Sequence, residues 1–297
     1  MVENRKWKGD TGGGNFGQRA LIFLFRWLNL RFGYALLVLV VPFYMLFSRK
    51  NFLTIYHYFR QHFGFSVWKS FRKSYQNHLL FGQVIIDRFA LFAGKKNAFE
   101  VEIIGNEHFE RLSNGEKGFI IAGSHIGNFE IGGYFLHSTK KKINALIYAG
   151  ETETMQMNRS KILNNNNINL IPVTNDLSHL FAVNSALQKG EIVSMPCDRL
   201  HGSTKFVECD FMSGKADFPI GAFTLAVHYD LEILAIFVVK ISTKKYKIYV
   251  QPCGNKLNTT SNKKEKIDNL VFSYVKELEN MVKQYPIQWF NYYEFWK

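Results

Sequence analysis

Residues 20–47 form the most apolar stretch of the chain, and their only charged members are Arg26 and Arg31. The uninterrupted part, residues 32–47, is shorter than the ~20 residues that an upright helix needs to cross a bilayer. The stretch is therefore one helix that crosses with its arginines reaching the interface, a helix embedded in one leaflet, or a core helix of a soluble protein. No small-residue cleavage site follows it, so we do not expect a removed signal peptide.

Residues 51–94 show a different pattern, in which apolar side chains recur near helical spacing and basic side chains occupy the other faces. This pattern predicts one or two amphipathic helices. A basic helix with aromatic neighbours suits a membrane surface, and a plain solvated helix face fits the pattern nearly as well.

From residue 99 onwards, short apolar runs alternate with helical patterns. The predicted strands are 99–104, 119–122, 143–148, 170–173 and 192–195. The predicted later elements are helices over 152–166 and 177–189, a hairpin of 231–241 and 245–251, and a helix over 263–285. This succession predicts an α/β fold with a mainly parallel central sheet flanked by helices. We therefore divide the chain into a flexible polar lead (1–19), a membrane-associated hydrophobic helix (20–50) and an α/β domain (51–297).

The composition narrows the choice of partners. A formal net charge of +13 favours an anionic partner, and 28 Phe with 14 Tyr suit contact with lipid chains or the bilayer interface. No nucleic-acid-binding motif accompanies the charge, so lipid ranks above nucleic acid. The three cysteines lack C-x-x-C spacing, which predicts neither a disulfide framework nor a zinc site and fits a reducing compartment.

Residues 118–134 read GFIIAGSHIGNFEIGGY and contain the first chemical candidates. The pattern of 119–122 is that of a buried strand and helical spacing begins at Asn128, so His125 lies where a strand gives way to a helix. Open α/β sheets place their active sites at the carboxyl ends of strands. A carboxylate in the first turns of the following helix, Glu130, is expected to orient the imidazole and to raise its basicity.

Asp198 and Arg199 form a second candidate cluster, again just after a predicted strand. An arginine at a strand end can bind a phosphate or carbonyl oxygen, and we expect Asp198 to hold Arg199 through a bidentate pair. A purely structural Asp–Arg turn is the alternative.

The order Gly-Ser-His125-x-Gly-Asn128-x-Glu130 resembles the His-x4-Glu/Asp signature of membrane acyltransferases, in the form of the lipid A late (lauroyl/myristoyl) acyltransferase family. Three further segments resemble the same family. They are Lys-Gly before the Asp198–Arg199 pair, residues 211–226 and the closing Pro-x-Gln-Trp-Phe of residues 285–296. Asn291 and Tyr292 depart from the family's closing pattern. We expect that stretch to pack or to face the membrane and not to touch catalysis.

The resemblance covers roughly residues 7–296 and implies transfer of a fatty acyl chain to a hydroxyl or amine of a lipid, such as a lipid A precursor. The donor is then acyl carrier protein or acyl-coenzyme A, with no metal or other cofactor. His125 is the implied general base and Glu130 its orienting acid. The implied substrate-binding residues are Asn128, Arg159, Asp198 and Arg199. Arg159 lies in the predicted helix 152–166, at roughly the place of a family basic residue, and a solvated helix face is its alternative. The backbone N–H groups of Gly127 and Asn128, with Arg199, are expected to stabilise the tetrahedral oxyanion.

The resemblance also implies a setting: the bacterial inner membrane, with the active site on the cytoplasmic side. The expected partners are acyl carrier protein, the lipid acceptor and an anionic membrane, and no nucleic acid. A catalytically idle membrane-binding or assembly protein that keeps the fold is the alternative, and the intact His125/Glu130 and Asp198/Arg199 pairs argue against it.

Overall fold

The computed structural model describes residues 14–148, 153–164, 166–174, 176, 178–200, 203–254 and 262–297. The α-helices α1–α10 are Gly14–Trp27, Leu30–Phe47, Arg49–His57, Val67–Phe92, Asn106–Asn114, Phe129–Phe135, Glu153–Asn164, Ser178–Gln188, Gly221–Tyr229 and Lys263–Gln284. The strands β1–β9 are Glu100–Ile104, Phe119–Gly123, Ile143–Tyr148, Ile168–Val173, Ile192–Pro196, Phe206–Phe211, Gly214–Pro219, Ile233–Lys240 and Lys245–Cys253. Most of the predicted polar lead, residues 1–13, lies outside the described residues.

Seven strands form one sheet in the order β1-β9-β8-β2-β5-β3-β4. Strands β8, β2, β5, β3 and β4 run parallel, whereas β9 is antiparallel to β8 and pairs in parallel with β1. The predicted α/β fold with a mainly parallel central sheet flanked by helices is confirmed, and the predicted hairpin forms as β8 and β9. Strands β2 and β5 are neighbours, with Gly123 opposite Pro196, so the chain segments that follow them emerge side by side.

Helices cover both faces of this sheet. Alternate residues of a strand point to opposite faces, and in β2 the side chains of Phe119 and Ile121 pack on one face while Ile120 and Ala122 pack on the other. Helices α4, α6 and α7 cover the first face, and α8, α9 and α10 cover the second. Both faces of β2 are buried, which explains its uninterrupted apolar run.

Residues 206–219 form a second hairpin, β6–β7, which the sequence analysis did not assign. The two strands pair in antiparallel register from Phe206–Pro219 to Phe211–Gly214. Met212 adopts a positive φ of 57° in the tight turn between them. Both strands alternate buried with less buried positions over part of their length, but each has only six residues, which is too short for the alternation to stand out from the surrounding loop.

The apolar stretch 20–47 is not a single helix. Asn29 lies outside helical geometry, at φ −76° and ψ 144°, and its side chain accepts the backbone N–H of Arg31, so α1 ends and α2 begins there. Helix α2 is long and apolar enough, by length and composition, to cross a membrane. The next region likewise forms two helices, α3 and α4, joined by the π-helical turn Tyr58–His62.

Candidate active site

The turn between β2 and α6 carries His125 and is shaped by Gly127. Gly127 has a positive φ of 62°, and a Cβ atom at this position would overlap the carbonyl oxygen of Val238 on β8. Only glycine fits both the conformation and the space. The Gly127 N–H donates to the Gln288 carbonyl at 2.7 Å, and the Asn128 N–H donates to the Val238 carbonyl at 2.8 Å. The turn is therefore fastened to β8 and to the closing stretch of the chain.

Asp198, and not Glu130, is the carboxylate that holds His125. Asp198 Oδ1 lies 2.7 Å from His125 Nδ1, and its Oδ2 accepts the His125 backbone N–H at 2.8 Å. The Asp198 side chain is fully buried, whereas the His125 side chain is 24% exposed. Because β2 and β5 are adjacent, residues two positions beyond each strand meet at the same edge of the sheet.

The electrostatics of this pair suit a general base. Burial lowers the pKa of the His125 imidazole and the Arg199 charge lowers it further, while Asp198 opposes both effects. Burial alone would raise the pKa of the Asp198 carboxyl, but its attraction to His125, the hydrogen bonds from His125 and the Arg199 charge hold that pKa well below its ordinary value. A neutral imidazole therefore faces an ionised carboxylate at neutral pH.

The closing stretch, expected to pack or to face the membrane, lies directly against this pair. The Phe290 N–H donates to the His125 carbonyl at 3.2 Å, and Ile126 and Trp289 form an antiparallel bridge. The Trp289 indole N–H reaches Asp198 Oδ2 at 3.4 Å. The stretch therefore packs, as expected, and the groups that it packs against are the His125 turn and the Asp198 carboxylate. Its Gln-Trp-Phe similarity to the family was the available signal.

Glu130 has two arginine partners on the other side of the turn. Arg159 Nε donates to Glu130 Oε1 at 2.8 Å, and Arg88 Nε lies 2.7 Å from Oε2. Burial favours the neutral acid, but the charges of Arg159 and Arg88 outweigh it and lower the pKa of the Glu130 carboxyl. Glu130 lies in the first turn of α6, as expected, but the expected Glu130–His125 contact is wrong, because the Glu130 carboxylate pairs with Arg88 of α4 and Arg159 of α7.

This geometry also corrects the alternative considered for Arg159. Its side chain is only 4% exposed and is committed to Glu130, so it does not lie on a solvated helix face. Arg88 was missed by the sequence analysis, which assigned it to a basic helix face. Together, Glu130, Arg88 and Arg159 tie α6 to the long helices that flank it.

Replacing Glu130 by glutamine is expected to destabilise the fold. The change leaves two largely buried guanidinium groups without their carboxylate, a situation that typically costs about 3–5 kcal/mol of unfolding free energy. The matched control is Glu232→Gln, which alters an exposed ion pair with Arg111 and is expected to cost at most about 1 kcal/mol. Denaturant unfolding of both variants measures the difference. Equal, small losses would contradict the assignment of Glu130 as a buried charge centre.

Two other expected roles differ in the structure. The Gly127 and Asn128 N–H groups, predicted to form the oxyanion hole, already donate to backbone carbonyls. The Asn128 side chain is buried and its amide reaches the Tyr246 hydroxyl at 3.5 Å, so it faces the core beneath the turn. Asn128 therefore shapes the turn from inside.

Arg199 is not paired with Asp198 in a bidentate fork. Its guanidinium donates to the Phe290 carbonyl at 2.7 Å and lies 5.4 Å from the Tyr293 ring centroid. Its Nε is buried and, among the described residues, has no hydrogen-bond partner. Asp198 is occupied by His125 and Trp289, so the expected pair is corrected to two neighbouring groups that both act on His125 electrostatically.

The described residues contain no cluster of three or more His, Cys, Asp or Glu side chains arranged to hold a metal ion. The three cysteines are buried and unpaired by disulfides. The charged and ionisable side chains that the turn brings together are those of His125, Asp198 and Arg199.

The His125–Asp198 pair lies at the carboxyl ends of neighbouring strands, where open α/β sheets place their functional sites. The model of one family, bacterial lipid A biosynthesis acyltransferases, matches residues 72–297. The chain belongs to this family of acyltransferases, as its resemblance predicted. The matched region contains every site residue discussed above and leaves out α1–α3. Comparison with curated proteins found no match.

Proposed function

We propose that this protein transfers a fatty acyl chain from acyl carrier protein to a hydroxyl or amine of a lipid A precursor, with His125 as general base and Asp198 as its orienting acid. The observation that carries the proposal is the contact between Asp198 Oδ1 and His125 Nδ1. A carboxylate on Nδ1 keeps the proton on that nitrogen and makes Nε2 the basic one.

The reaction follows from this tautomer. His125 Nε2 takes the proton of the acceptor hydroxyl or amine while the acceptor atom attacks the thioester carbonyl. The imidazolium that forms is stabilised by the Asp198 carboxylate, which stays ionised. Collapse of the tetrahedral intermediate breaks the carbon–sulfur bond, and the proton on His125 passes to the departing sulfur. One ester or amide bond forms, one thioester breaks, and the base returns to its neutral state.

Arg199 is the proposed electrophilic group. Its Phe290 contact uses one terminal nitrogen, while its buried Nε–H is available to an oxygen that develops charge. Fixed donors of this kind act without reorganisation when the oxyanion appears. Arg199 takes over the role of oxyanion donor expected of the Gly127 and Asn128 N–H groups, because those groups already donate to backbone carbonyls.

The partners follow from charge and family. A net charge of +13 complements an acidic carrier protein and the anionic headgroups of a membrane. The family and the apolar helix α2 are consistent with membrane association. We place the protein at the bacterial inner membrane with its site on the cytoplasmic side, where acyl carrier protein is found.

The test is a transfer assay with purified protein, acyl carrier protein charged with a fatty acid, and a lipid A precursor, read by mass spectrometry. An acylated acceptor is expected, with acyl-coenzyme A as the comparison donor. Lipids without the lipid A sugar headgroup serve as control acceptors. Absence of transfer to every acceptor, with a folded protein, would support the idle alternative and contradict the proposal.

The acid limb of the pH–rate profile, where the rate rises with pH, is expected to lie at low pH. Only neutral His125 accepts a proton, so kcat/KM rises as the pH passes upward through the His125 pKa. Burial and Arg199 lower that pKa, so the midpoint is expected below ~6.5, the ordinary histidine value. A pH–rate profile measured where the protein remains folded checks this. A midpoint above that value would show that Asp198 outweighs burial.

A further inference from the structure

The apolar helix α2 lies along the α/β domain over its whole length. Its buried residues, Leu30, Gly33, Tyr34, Val41 and Met45, form one stripe that faces α4. Near its start, a Cβ at Gly33 would contact Ile86, and in its middle, Leu37 packs over Gly82. Near its end, the Tyr44 ring lies 6.0 Å from the His78 ring. Eighteen helical residues span ~27 Å, and α4 accompanies them throughout.

A buried polar cluster also joins α2 to the central sheet. The Tyr34 hydroxyl bonds to Asp87 of α4, and Lys240 of β8 donates to that hydroxyl at 3.0 Å. Lys240 forms a buried ion pair with Asp87, and the Tyr246 hydroxyl of β9 donates to the same carboxylate. Breaking such a cluster would leave buried charges unpaired, so α2 is held to the domain by more than apolar packing.

Helix α4 is itself an integral part of the domain. The Asn77 side-chain amide donates to the carbonyls of Ile287 and Trp289 at 3.0 and 3.2 Å, and Arg88 pairs with Glu130. If α2 crossed a bilayer upright, α4 and its neighbours would enter the hydrocarbon with it. They would bring Asp87, Arg88 and irregular backbone, which hydrocarbon does not accommodate.

The opposite faces of these helices are apolar and exposed. Helices α1, α2 and α3 all pack against α4 and turn large side chains outward. The largest exposed fractions among them and at the start of α4 are those of Phe23, Trp27, Phe32, Leu39, Phe43, Leu46, Phe47 and Trp68, between 59% and 87%. Many large exposed apolar side chains on helices that pack together indicate an interaction site.

The charge of the same segment identifies what covers that surface. Residues 11–86 contain no Asp or Glu, and they contain nine Lys and Arg residues. These are Arg19, Arg26, Arg31, Arg49, Lys50, Arg60, Lys69, Arg72 and Lys73. Apolar helices edged only by cations match a leaflet of anionic lipids, with acyl chains under the apolar face and headgroups beside the cations.

We propose that α1, α2, α3 and the start of α4 lie in one anionic leaflet as a monotopic anchor, and that α2 does not cross the bilayer. Both ends of α2 are then on the same side of the membrane as the α/β domain. The end of α2 also comes close to the active site: His78, beside Tyr44, lies 5.1 Å from Tyr292, and Arg199 lies over the adjacent Tyr293.

Cysteine accessibility tests the topology. The three native cysteines are buried, so Arg31→Cys and Lys50→Cys report the two ends of α2, and Lys264→Cys on α10 reports the domain. A membrane-impermeant maleimide is applied to inside-out and right-side-out vesicles from bacteria that produce each variant. All three cysteines are expected to react in the same type of vesicle and in that type only.

Reaction of Arg31→Cys and Lys50→Cys from opposite sides of the membrane would overturn the monotopic anchor. A cysteine that reacts only after detergent is added would also overturn it, because the proposal places both ends at the headgroups. This result is independent of transfer activity, so the anchor and the proposed reaction can fail separately.

Vesicle flotation of the purified full-length chain tests whether anionic lipid covers the exposed apolar face of the anchor. Binding is expected to be stronger to vesicles of phosphatidylcholine with phosphatidylglycerol than to phosphatidylcholine alone. Leu39→Asp, on the exposed face of α2, is expected to weaken binding at least about tenfold. The matched control, Phe272→Asp on the exposed face of α10, is expected to leave it unchanged. Equal binding by both variants, or a Leu39→Asp effect confined to self-association, would overturn the lipid assignment.

Discussion

Replacing His125 by alanine is expected to abolish measurable acyl transfer while the protein stays folded. A positioned general base contributes about 10²–10⁴-fold to the rate, and the described site shows no second base beside His125. The side chain lies at a strand end and is 24% exposed, so its removal leaves only a small gap in the packing. Turnover of the purified variant, together with its melting temperature, measures both consequences.

The control for this variant is His108→Ala, which removes a half-exposed histidine from α5 and is expected to change neither activity nor melting. Near-normal turnover of His125→Ala would contradict the proposed mechanism. Loss of both activity and folding in His125→Ala would instead show that the turn depends on the imidazole. His125→Gln would then be needed to keep the turn and remove the base.

Asp198→Asn is expected to lower kcat by about 10²–10⁴-fold. Loss of the carboxylate behind a catalytic histidine removes the charge that stabilises the imidazolium and the preference for the correct tautomer. Asp198 also raises the pKa of His125 against burial and Arg199. The acid limb of the residual activity is therefore expected to move to lower pH, an effect that a purely structural role would not produce.

The comparison variant for Asp198 is Asp230→Asn, whose side chain is 93% exposed and pairs with Lys117 at the surface. It is expected to keep both kcat and the pH profile. If Glu130 oriented His125, as the sequence alone indicated, Asp198→Asn would leave the acid limb in place and Glu130→Gln would move it. Measuring the pH profile of both variants decides between the two carboxylates.

The sequence determined much of this protein by local pattern. The alternation of apolar runs and helical spacing was enough to predict the α/β class, because strands and helices bury side chains with different periods. It also placed His125 and the Asp198–Arg199 pair at strand ends, where parallel sheets collect their functional groups. The family resemblance, carried by the residues around the same positions, was confirmed.

Only the tertiary structure decided which groups meet. Glu130 is five residues from His125 along the chain and Asp198 is 73 residues away, yet Asp198 holds the imidazole. That contact depends on β2 and β5 being neighbours, and strand order is set by the packing of the whole sheet. Glu130 forms ion pairs with Arg88 and Arg159, and these pairs depend on how α4 and α7 are placed relative to α6.

For the closing stretch and the apolar helix, too, the sequence predicted the character of the segment and the tertiary structure decided its contacts. The local sequence shows that residues 285–296 are aromatic and that residues 20–47 are apolar. It does not show which residues pack against them. The fold returns Trp289 to Asp198 and lays α2 along α4. Hydrophobicity acts without direction, so the sequence determines only that these segments favour a place out of water. The partners that they meet are chosen by the geometry of the folded chain.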